Sequence, residues 1–231
     1  MKKTIFLVDA DDTLLDFHGS SALALRHAFA ACHLQWKDRY ADDFKRINDG
    51  LWEALERKEL TRAELIEKRF PYYLSELGLQ ADGNAFNQYY LHGLATKPMY
   101  VQGAEEFLQK LVETGRVFIV TNGTEYIQKS RFDIIGLWKY AEDVFISDTI
   151  GIDKPAKGYT AYVTSHIKAF DKEKTVWIGD SLSADIKAAN EAGITSIWFN
   201  PNNKPVNNKA NPDYIAADFN KIVEIVENFC D

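Results

Sequence analysis

Acidic residues follow two apolar runs of this sequence at a spacing that suits cation and phosphate chemistry. Asp9 and Asp11 come directly after the apolar run 4–8, and residues two apart on an extended segment point to the same side. Two neighbouring carboxylates repel unless a cation lies between them or one of them is protonated. Asp180 follows another apolar run and adds a third oxygen donor. An all-oxygen cluster of this kind predicts a Mg²⁺ site that would also accept a phosphate oxygen.

A hydroxyl, a lysine and a helix start complete a set of groups that suits phosphoryl transfer. Thr121 ends a third apolar run, and the backbone N–H groups of Asn122 and Gly123 lie at the start of a predicted helix, where such groups bind anions. Lys154 supplies a positive point charge, and Asp185 adds a further carboxylate. Each of these short motifs is common in ordinary turns. Their joint occurrence after predicted strands indicates phosphoryl-transfer chemistry.

Alternating strands and helices are predicted to bring these groups together. The predicted strands are 4–8, 117–121, 144–147, 175–178 and 195–199, and the predicted helices are 103–115, 124–136, 159–169, 184–193 and the segment from 218 onward. Such alternation predicts an α/β fold with a parallel sheet and helices on both faces. Ligands bind outside the carboxyl ends of the strands in such a sheet. Residues 200–211, rich in Asn, Pro and Lys, are predicted to form a surface loop between the last strand and the last helix.

The segment between the first two predicted strands has a different pattern. Residues 16–95 show helical periodicity and contain the signals of four helices, including a capping box from Thr61 to Glu64, a terminating Gly78 and a capping Asp82. We therefore expect a helical domain, 16–95, inserted after the first strand of a sheet domain made of 1–15 and 96–231.

Composition narrows the class of protein. The chain has 231 residues, 46% of them hydrophobic, and 27 basic against 34 acidic side chains give a net charge of −7. This is an ordinary globular composition, and the negative balance argues against binding to nucleic acid or to an anionic membrane. No run is long and apolar enough for a membrane span or a signal peptide. Cys32 and Cys230 are expected to be reduced thiols without an assigned role, in a cytoplasmic protein.

The motif set resembles that of the haloacid dehalogenase (HAD) superfamily over the whole chain. The family's four motifs are similar to residues 9–14, 121–123, Lys154 with Pro155, and Gly179-Asp180 with Asp185. The resemblance implies a Rossmann-like core, an inserted helical cap, and a Mg²⁺-dependent phosphomonoesterase that acts through an aspartyl-phosphate.

The resemblance also implies a role for each matching residue. Asp9 would be the nucleophile, Asp11 the general acid and base, and Thr121 and Lys154 the residues that bind and steady the phosphoryl group, with Asn122 and Gly123 beside them. Asp9, Asp180 and the backbone carbonyl of Asp11 would hold Mg²⁺, supported by Asp185. The metal-free dehalogenases of the superfamily lack the acid two positions after the nucleophile, so Asp11 indicates phosphate chemistry.

An acidic residue at Asp12, where many members have glycine, is similar to the bacterial pyrimidine 5′-nucleotidases. The expected substrate is therefore a small phosphorylated metabolite, a pyrimidine nucleoside 5′-monophosphate, and the expected assembly is a monomer or a small homo-oligomer. Asn48, Trp52 and Arg69 of the helical segment are candidate specificity residues, although Trp52 could equally be core and Arg69 a surface charge.

Three alternatives remain open at this point. One is a phosphatase of another small metabolite, such as a sugar phosphate or phosphoglycolate. Another is a phosphomutase of the same fold. A third, from a different class, is a binding module without activity, which we would expect to have lost one of the acids.

Overall fold

The computed structural model describes residues 4–206 and 210–230. The chain divides into two compact units. One, the sheet unit, consists of Met1–Asp16 and Tyr100–Asp231; the other, the helical unit, is Phe17–Met99. The sequence predicts these boundaries between residues 15 and 16 and between residues 95 and 96.

Six parallel strands form one sheet in the sheet unit. They are β1 (Thr4–Asp9), β2 (Gly115–Thr121), β3 (Asp143–Ile146), β4 (Thr175–Gly179), β5 (Thr195–Phe199) and β6 (Tyr214–Ala216). Their order across the sheet is β3-β2-β1-β4-β5-β6. β1 is central: Thr4 pairs with Gly115 on one side, and Ile5 pairs with Thr175 on the other. The sheet edge that receives the ends of β1, β2 and β4 is therefore the edge where the predicted site residues lie.

Four helices make up the helical unit. They are α1 (Phe17–Ala31), α2 (Arg39–Glu56), α3 (Arg62–Glu76) and α4 (Gly83–Thr96). The predicted capping box is present, since the Thr61 hydroxyl accepts from the backbone N–H of Glu64 and the Glu64 carboxylate accepts from that of Thr61. Asp82 caps α4 as predicted, and Gly78 follows α3 in the left-handed region. The interior is aromatic, with the rings of Phe44, Phe70, Tyr73, Phe86 and Tyr90 in mutual contact.

The remaining helices cover both faces of the sheet. They are α5 (Ala104–Thr114), α6 (Glu125–Ile135), the single turn α7 (Ser147–Ile150), α8 (Lys157–His166), α9 (Lys187–Ala192), which continues a π-helical turn at Leu182–Ile186, and α10 (Phe219–Cys230). Alternate residues of β1 enter two separate cores. Phe6 and Val8 pack with α5 and α10 on one face, whereas Ile5 and Leu7 pack with α8 and α9 on the other. The predicted parallel α/β sheet with helices on both faces is confirmed.

Three local predictions were wrong. The strand at 195–199 is not the last, because β6 adds a sixth strand at the edge of the sheet. With three residues, two of them exposed, β6 lacks the apolar run that marks a buried strand. Ser147 begins α7 rather than ending a strand, and the helix expected at Ala184 begins two residues earlier with the π-helical turn. Residues 207–209 of the predicted loop lie outside the described residues.

In the described ranges, none of the helices has the length and the apolar content that crossing a membrane requires.

Candidate active site

A buried ion pair lies where β1 ends. Asp9 is the last residue of the strand and is 6% exposed. The ammonium of Lys154, 2% exposed, lies 2.6 Å from Asp9 Oδ1, and the hydroxyl of Thr13 donates to Asp9 Oδ2 at 3.1 Å. Lys154 Nζ also donates to Asp185 Oδ1 at 2.7 Å and to the carbonyl of Val120 at 2.9 Å. An ammonium has three donors, so each proton of Lys154 has a partner and its charge acts on the site through Asp9 and Asp185.

The side chain of Asn122 fixes the loop that carries Lys154. Its Oδ1 accepts from the backbone N–H of Lys154 at 2.8 Å, and its Nδ2 donates to the carbonyl of the same residue at 2.9 Å. An amide side chain provides both a donor and an acceptor, so it satisfies both backbone groups of one residue. The sequence indicated only an anion-binding backbone at Asn122.

Three carboxylates meet beside this lysine. Oxygen atoms of Asp9, Asp180 and Asp185 lie within 4.8 Å of one another. Asp185, on the π-helical turn, also accepts from the backbone N–H of Ser181 at 3.2 Å. A Cβ atom at Gly179 would collide with the side chain of Asp185, so this position requires glycine. Two of these three carboxylates, Asp9 and Asp185, thus share the ammonium of Lys154.

Burial and the repulsion of neighbouring carboxylates favour the protonated forms of Asp9 and Asp180. Burial raises the pKa of Asp9 from 3.8 to about 8; Lys154 opposes this shift and Asp185 adds to it. Burial likewise raises the pKa of Asp180 well above its usual range, together with the charges of Asp9 and Asp12. Burial by itself would lower the pKa of Lys154, but Asp185 and Asp9 raise it above its usual value. A divalent cation would relieve the repulsion, and the all-oxygen donor set is of the kind that holds Mg²⁺.

The carboxylate of Asp11 is not one of these three and has its own hydrogen-bond partners. Its Oδ1 accepts from Arg131 Nη1 at 2.5 Å and its Oδ2 from Gln128 Nε2 at 2.9 Å. Both partners are on α6. The chain turns directly after Asp9: the N–H groups of Leu14 and Leu15 both donate to the carbonyl of Ala10. We expected the carboxylates of Asp9 and Asp11 to face the same small volume on an extended segment. The strand ends at Asp9 instead, and the charge of Asp11 still contributes to the raised pKa of Asp9.

Asp12 occupies the left-handed region of the backbone in the same turn, with φ of 58°. Asparagine and aspartate tolerate this conformation better than most residues other than glycine. The turn therefore forms here around an acidic residue in a backbone conformation that favours glycine.

The hydroxyl of Thr121, at the end of β2, is buried and accepts two hydrogen bonds. They come from the backbone N–H of Gly123 at 3.0 Å and from Gln128 Nε2 at 2.8 Å. The N–H of Gly123 is thus directed at Thr121, whereas the sequence predicted that it would bind an anion. A Cβ atom at Gly123 would lie 2.5 Å from the Gln128 side chain, so glycine lets Gln128 approach this strand end.

The candidate specificity residues all lie in the helical unit. Arg69 is buried rather than a surface charge: its Nη1 donates to Asn48 Oδ1 at 3.3 Å and its Nη2 to Asn87 Oδ1 at 3.2 Å. Its guanidinium lies 4.8 Å from the ring centroid of Phe70, and burial lowers its pKa. Trp52 is half-buried and lies under the guanidinium of Arg62 instead. The structure therefore brings Asn48 and Arg69 into contact with each other, while Trp52 has a separate partner.

Three residues at this sheet edge were missed in the sequence. Thr13 follows the Asp-x-Asp motif directly, and Gln128 and Arg131 lie one helical turn apart on α6. The available signal was their i,i+3 spacing, which places two polar side chains on one face of the helix that follows Thr121.

Comparison with known proteins identifies the family. A family model described as haloacid dehalogenase-like hydrolase matches residues 3–193. YfnB of Bacillus subtilis, whose name places it among the HAD-hydrolases, is 39% identical over 199 residues, covering 86% of this chain and 85% of YfnB. A crystal structure of YfnB bound to magnesium superposes with a TM-score of 0.92 at 36% identity, covering 98% of this chain and 99% of that one.

Two further relatives are named for an activity. The pyrimidine 5′-nucleotidase PynA of Streptococcus pneumoniae is 34% identical over 222 residues, 96% of this chain and 94% of PynA. The pyrimidine 5′-nucleotidase YjjG of Escherichia coli is 23% identical over 226 residues, 98% of this chain and 99% of YjjG. Since the family model spans most of the chain and two relatives exceed 30% identity over nearly their whole length, the protein belongs to the haloacid dehalogenase-like hydrolases and is an enzyme of that class.

Proposed function

We propose that this enzyme is a Mg²⁺-dependent phosphomonoester hydrolase that acts through an aspartyl-phosphate on Asp9, and that its substrates are pyrimidine nucleoside 5′-monophosphates. The observation that carries the chemistry is the end of β1. There a buried carboxylate is held by Lys154 and Thr13 beside two further carboxylates, with a separately held acid two residues along.

In the first step, an oxygen of Asp9 attacks phosphorus, and the bond from phosphorus to the ester oxygen breaks. The carboxyl proton of Asp11 goes to the departing oxygen, so the alcohol leaves neutral. Asp9 suits this role because its hydrogen bonds to Lys154 and Thr13 hold the carboxylate in one orientation.

In the second step, water attacks phosphorus and gives its proton to the carboxylate of Asp11. The bond between phosphorus and Asp9 breaks, so inorganic phosphate is released and the carboxylate of Asp9 is restored. Asp11 has recovered the proton that it lost, which closes the cycle.

Positive charge is needed throughout, because the transferring group is anionic and the surrounding side chains are acidic. Lys154 supplies one charge at Asp9. Asp9 and Asp180, with the backbone carbonyl of Asp11 and support from Asp185, would hold Mg²⁺. When bound, Mg²⁺ supplies charge neutralisation and Lewis-acid polarisation of a phosphate oxygen. The fit rests on the all-oxygen donors and on the excess of carboxylates over ammonium groups in the cluster.

The substrate class rests on different support. PynA and YjjG are named as pyrimidine 5′-nucleotidases. Asp12 gives further support, because an acidic residue at this position resembles the bacterial pyrimidine 5′-nucleotidases. We further propose Asn48, Arg69 and Trp52 of the helical unit as specificity residues, because Asn48 and Arg69 present a buried amide and guanidinium in mutual contact.

The experiment compares turnover of UMP, dUMP and dTMP with that of sugar phosphates and phosphoglycolate, with Mg²⁺ and with EDTA. We expect Mg²⁺-dependent release of phosphate and a preference for the three nucleotides. A preference for sugar phosphates or phosphoglycolate would overturn the substrate class and leave the hydrolase chemistry intact.

The Asp9→Asn variant tests the covalent mechanism. It should lose phosphate release, and the wild-type enzyme quenched in acid during turnover should carry phosphate on Asp9. Asp143→Asn is the matched control, because Asp143 is an exposed carboxylate at the start of β3, the opposite end of a strand in the same sheet. Activity in Asp9→Asn equal to that of the control would refute the mechanism.

A further inference from the structure

Two side chains of α6 hold the carboxylate of Asp11 from both oxygens. Arg131 Nη1 lies 2.5 Å from one oxygen, and Gln128 Nε2 lies 2.9 Å from the other. Arg131 Nη1 also donates to Gln128 Oε1 at 2.9 Å, so the three side chains form a closed network. We propose that Gln128 and Arg131 are positioning residues that orient Asp11 for proton transfer and direct the hydroxyl of Thr121 toward the phosphoryl group.

The orientation of the Gln128 amide follows from its partners. Arg131 can only donate, so the atom of Gln128 that faces it must be the oxygen. The nitrogen of the same amide then faces Asp11 and Thr121, at 2.9 and 2.8 Å. One amide group therefore connects the proposed acid to the proposed phosphate-binding residue, and a reversed amide would lose its hydrogen bond to the carboxylate of Asp11.

This arrangement also sets the direction of the Thr121 hydroxyl. Its oxygen accepts from Gln128 and from the N–H of Gly123, which occupies both lone pairs. The hydroxyl proton must then point away from these two donors. A threonine in this state donates a hydrogen bond, which is what an anionic phosphoryl oxygen requires.

The buried guanidinium of Arg131 is expected to destabilise the folded protein. The side chain is 1% exposed, and its Nε and Nη2 atoms have no hydrogen-bond partner among the described residues. Buried donors without partners are destabilising. The Asp11 side chain is 29% exposed and could be solvated without Arg131. The unpartnered donors are therefore a cost to stability, and support of a reacting carboxylate is a reason to keep a guanidinium at this position.

The inference rests on the proposed function, because it concerns the proton that Asp11 gives to the leaving oxygen. As that proton leaves, negative charge develops on Asp11, and both of its oxygens already face donors. The benefit should be large for an ester whose leaving group is a strong base. It should be small for an ester whose leaving group departs without a proton.

The test measures kcat/KM of the wild type and of Arg131→Met on UMP, an alkyl phosphate ester, and on p-nitrophenyl phosphate, which has a much better leaving group. For Arg131→Met we expect a loss of at least about tenfold on UMP and of less than about threefold on p-nitrophenyl phosphate. The unfolding midpoint should change by less than about 4 °C, because two unpartnered donors are removed while one amide oxygen loses its partner.

Two further variants complete the experiment. Arg131→Lys keeps a cation near Asp11 and should recover part of the UMP activity. Lys129→Met is the matched control, because Lys129 lies on the same helix and forms an exposed ion pair with Glu125. It should leave both kcat/KM values unchanged.

The other possible outcomes would contradict either the positioning role of Arg131 or the proposed function. Equal losses on the two esters, or no loss on either, would overturn the positioning role. So would failure of Arg131→Met to fold, because Arg131 would then act in stability. A wild-type enzyme that hydrolyses neither ester would refute the proposed function, and this inference with it.

Discussion

Replacing Lys154 with methionine removes an ammonium that contacts two buried carboxylates and should destabilise the protein. Methionine keeps most of the length of the side chain and removes its charge. Asp9 and Asp185, 6% and 1% exposed, would lose their counterion. Breaking a buried ion pair from one side costs about 3–5 kcal/mol. At about 2–4 °C per kcal/mol, the unfolding temperature should fall by about 10 °C.

The loss should depend on pH in a defined direction. The folded-state pKa of Asp9 is raised to about 8, chiefly by burial, and Lys154 lowers it, so the variant has a still higher value. An acid with a raised folded pKa favours folding below its unfolded value, 3.8, and that contribution is lost as pH rises through the folded value. At pH 5 Asp9 is protonated in the wild type and in the variant, so it needs no counterion in either. At pH 8 Asp9 of the wild type can ionise beside Lys154, whereas the variant must still keep Asp9 protonated, so the stability deficit of the variant should be larger there.

Urea unfolding at pH 5 and pH 8 in EDTA measures this difference, with Lys221→Met, which removes an exposed ion pair with Glu224, as the control. Activity should fall by at least about a hundredfold, because a preorganised charge at the reacting group is lost. Equal losses of stability at the two pH values, or a loss at pH 8 no greater than that of the control, would refute the electrostatic reasoning.

Two other predictions concern the metal cluster and a helix cap. Mg²⁺ at ten times its dissociation constant should stabilise the enzyme by about 1.4 kcal/mol. At a fixed Mg²⁺ concentration the effect should be larger at pH 8 than at pH 5, because protons compete for Asp9 and Asp180, whose pKa values burial raises. Scanning fluorimetry with Mg²⁺ and with EDTA tests this, and an unchanged response in Asp180→Asn would count against the cluster as the binding site. Thr61→Ala should destabilise the helical unit by about 1 kcal/mol in urea unfolding, because it removes the cap of α3, whereas Thr61→Ser should not.

The main features of the sheet could be predicted because buried parallel strands are continuous apolar runs. β1, β2, β4 and β5 all have that form, and the residues that follow three of them carry the proposed chemistry. Asp9, Lys154 and Asp185 meet in the structure because parallel strands end at one edge. β6 was missed because a short, half-exposed edge strand has no such run.

Side-chain partners were much less predictable, because they depend on turns and loops rather than on the hydrophobic periodicity of the sequence. The partners of Asp11, which are Arg131 and Gln128, could not be predicted from the alternation of an extended strand, because the chain leaves the strand at Asp9 and turns. Asn122 was noted for its backbone, whereas its side chain holds the Lys154 loop. Arg69 could not be classified because a single basic residue in a helix carries no burial signal, and only the surrounding rings show that it is internal.

The central position of β1 has a consequence for how the chain reaches its folded state. β1 is synthesised first, yet its neighbours in the sheet are Gly115–Thr121 and Thr175–Gly179. The helical unit is continuous in the chain and can form while the later residues are still being made. The first strand must wait for partners far along the chain, and such long-range pairing is slow. Asp9 therefore meets Lys154 and Asp185 only late in synthesis, so an incomplete chain carries the proposed nucleophile without the side chains that hold it in the folded protein.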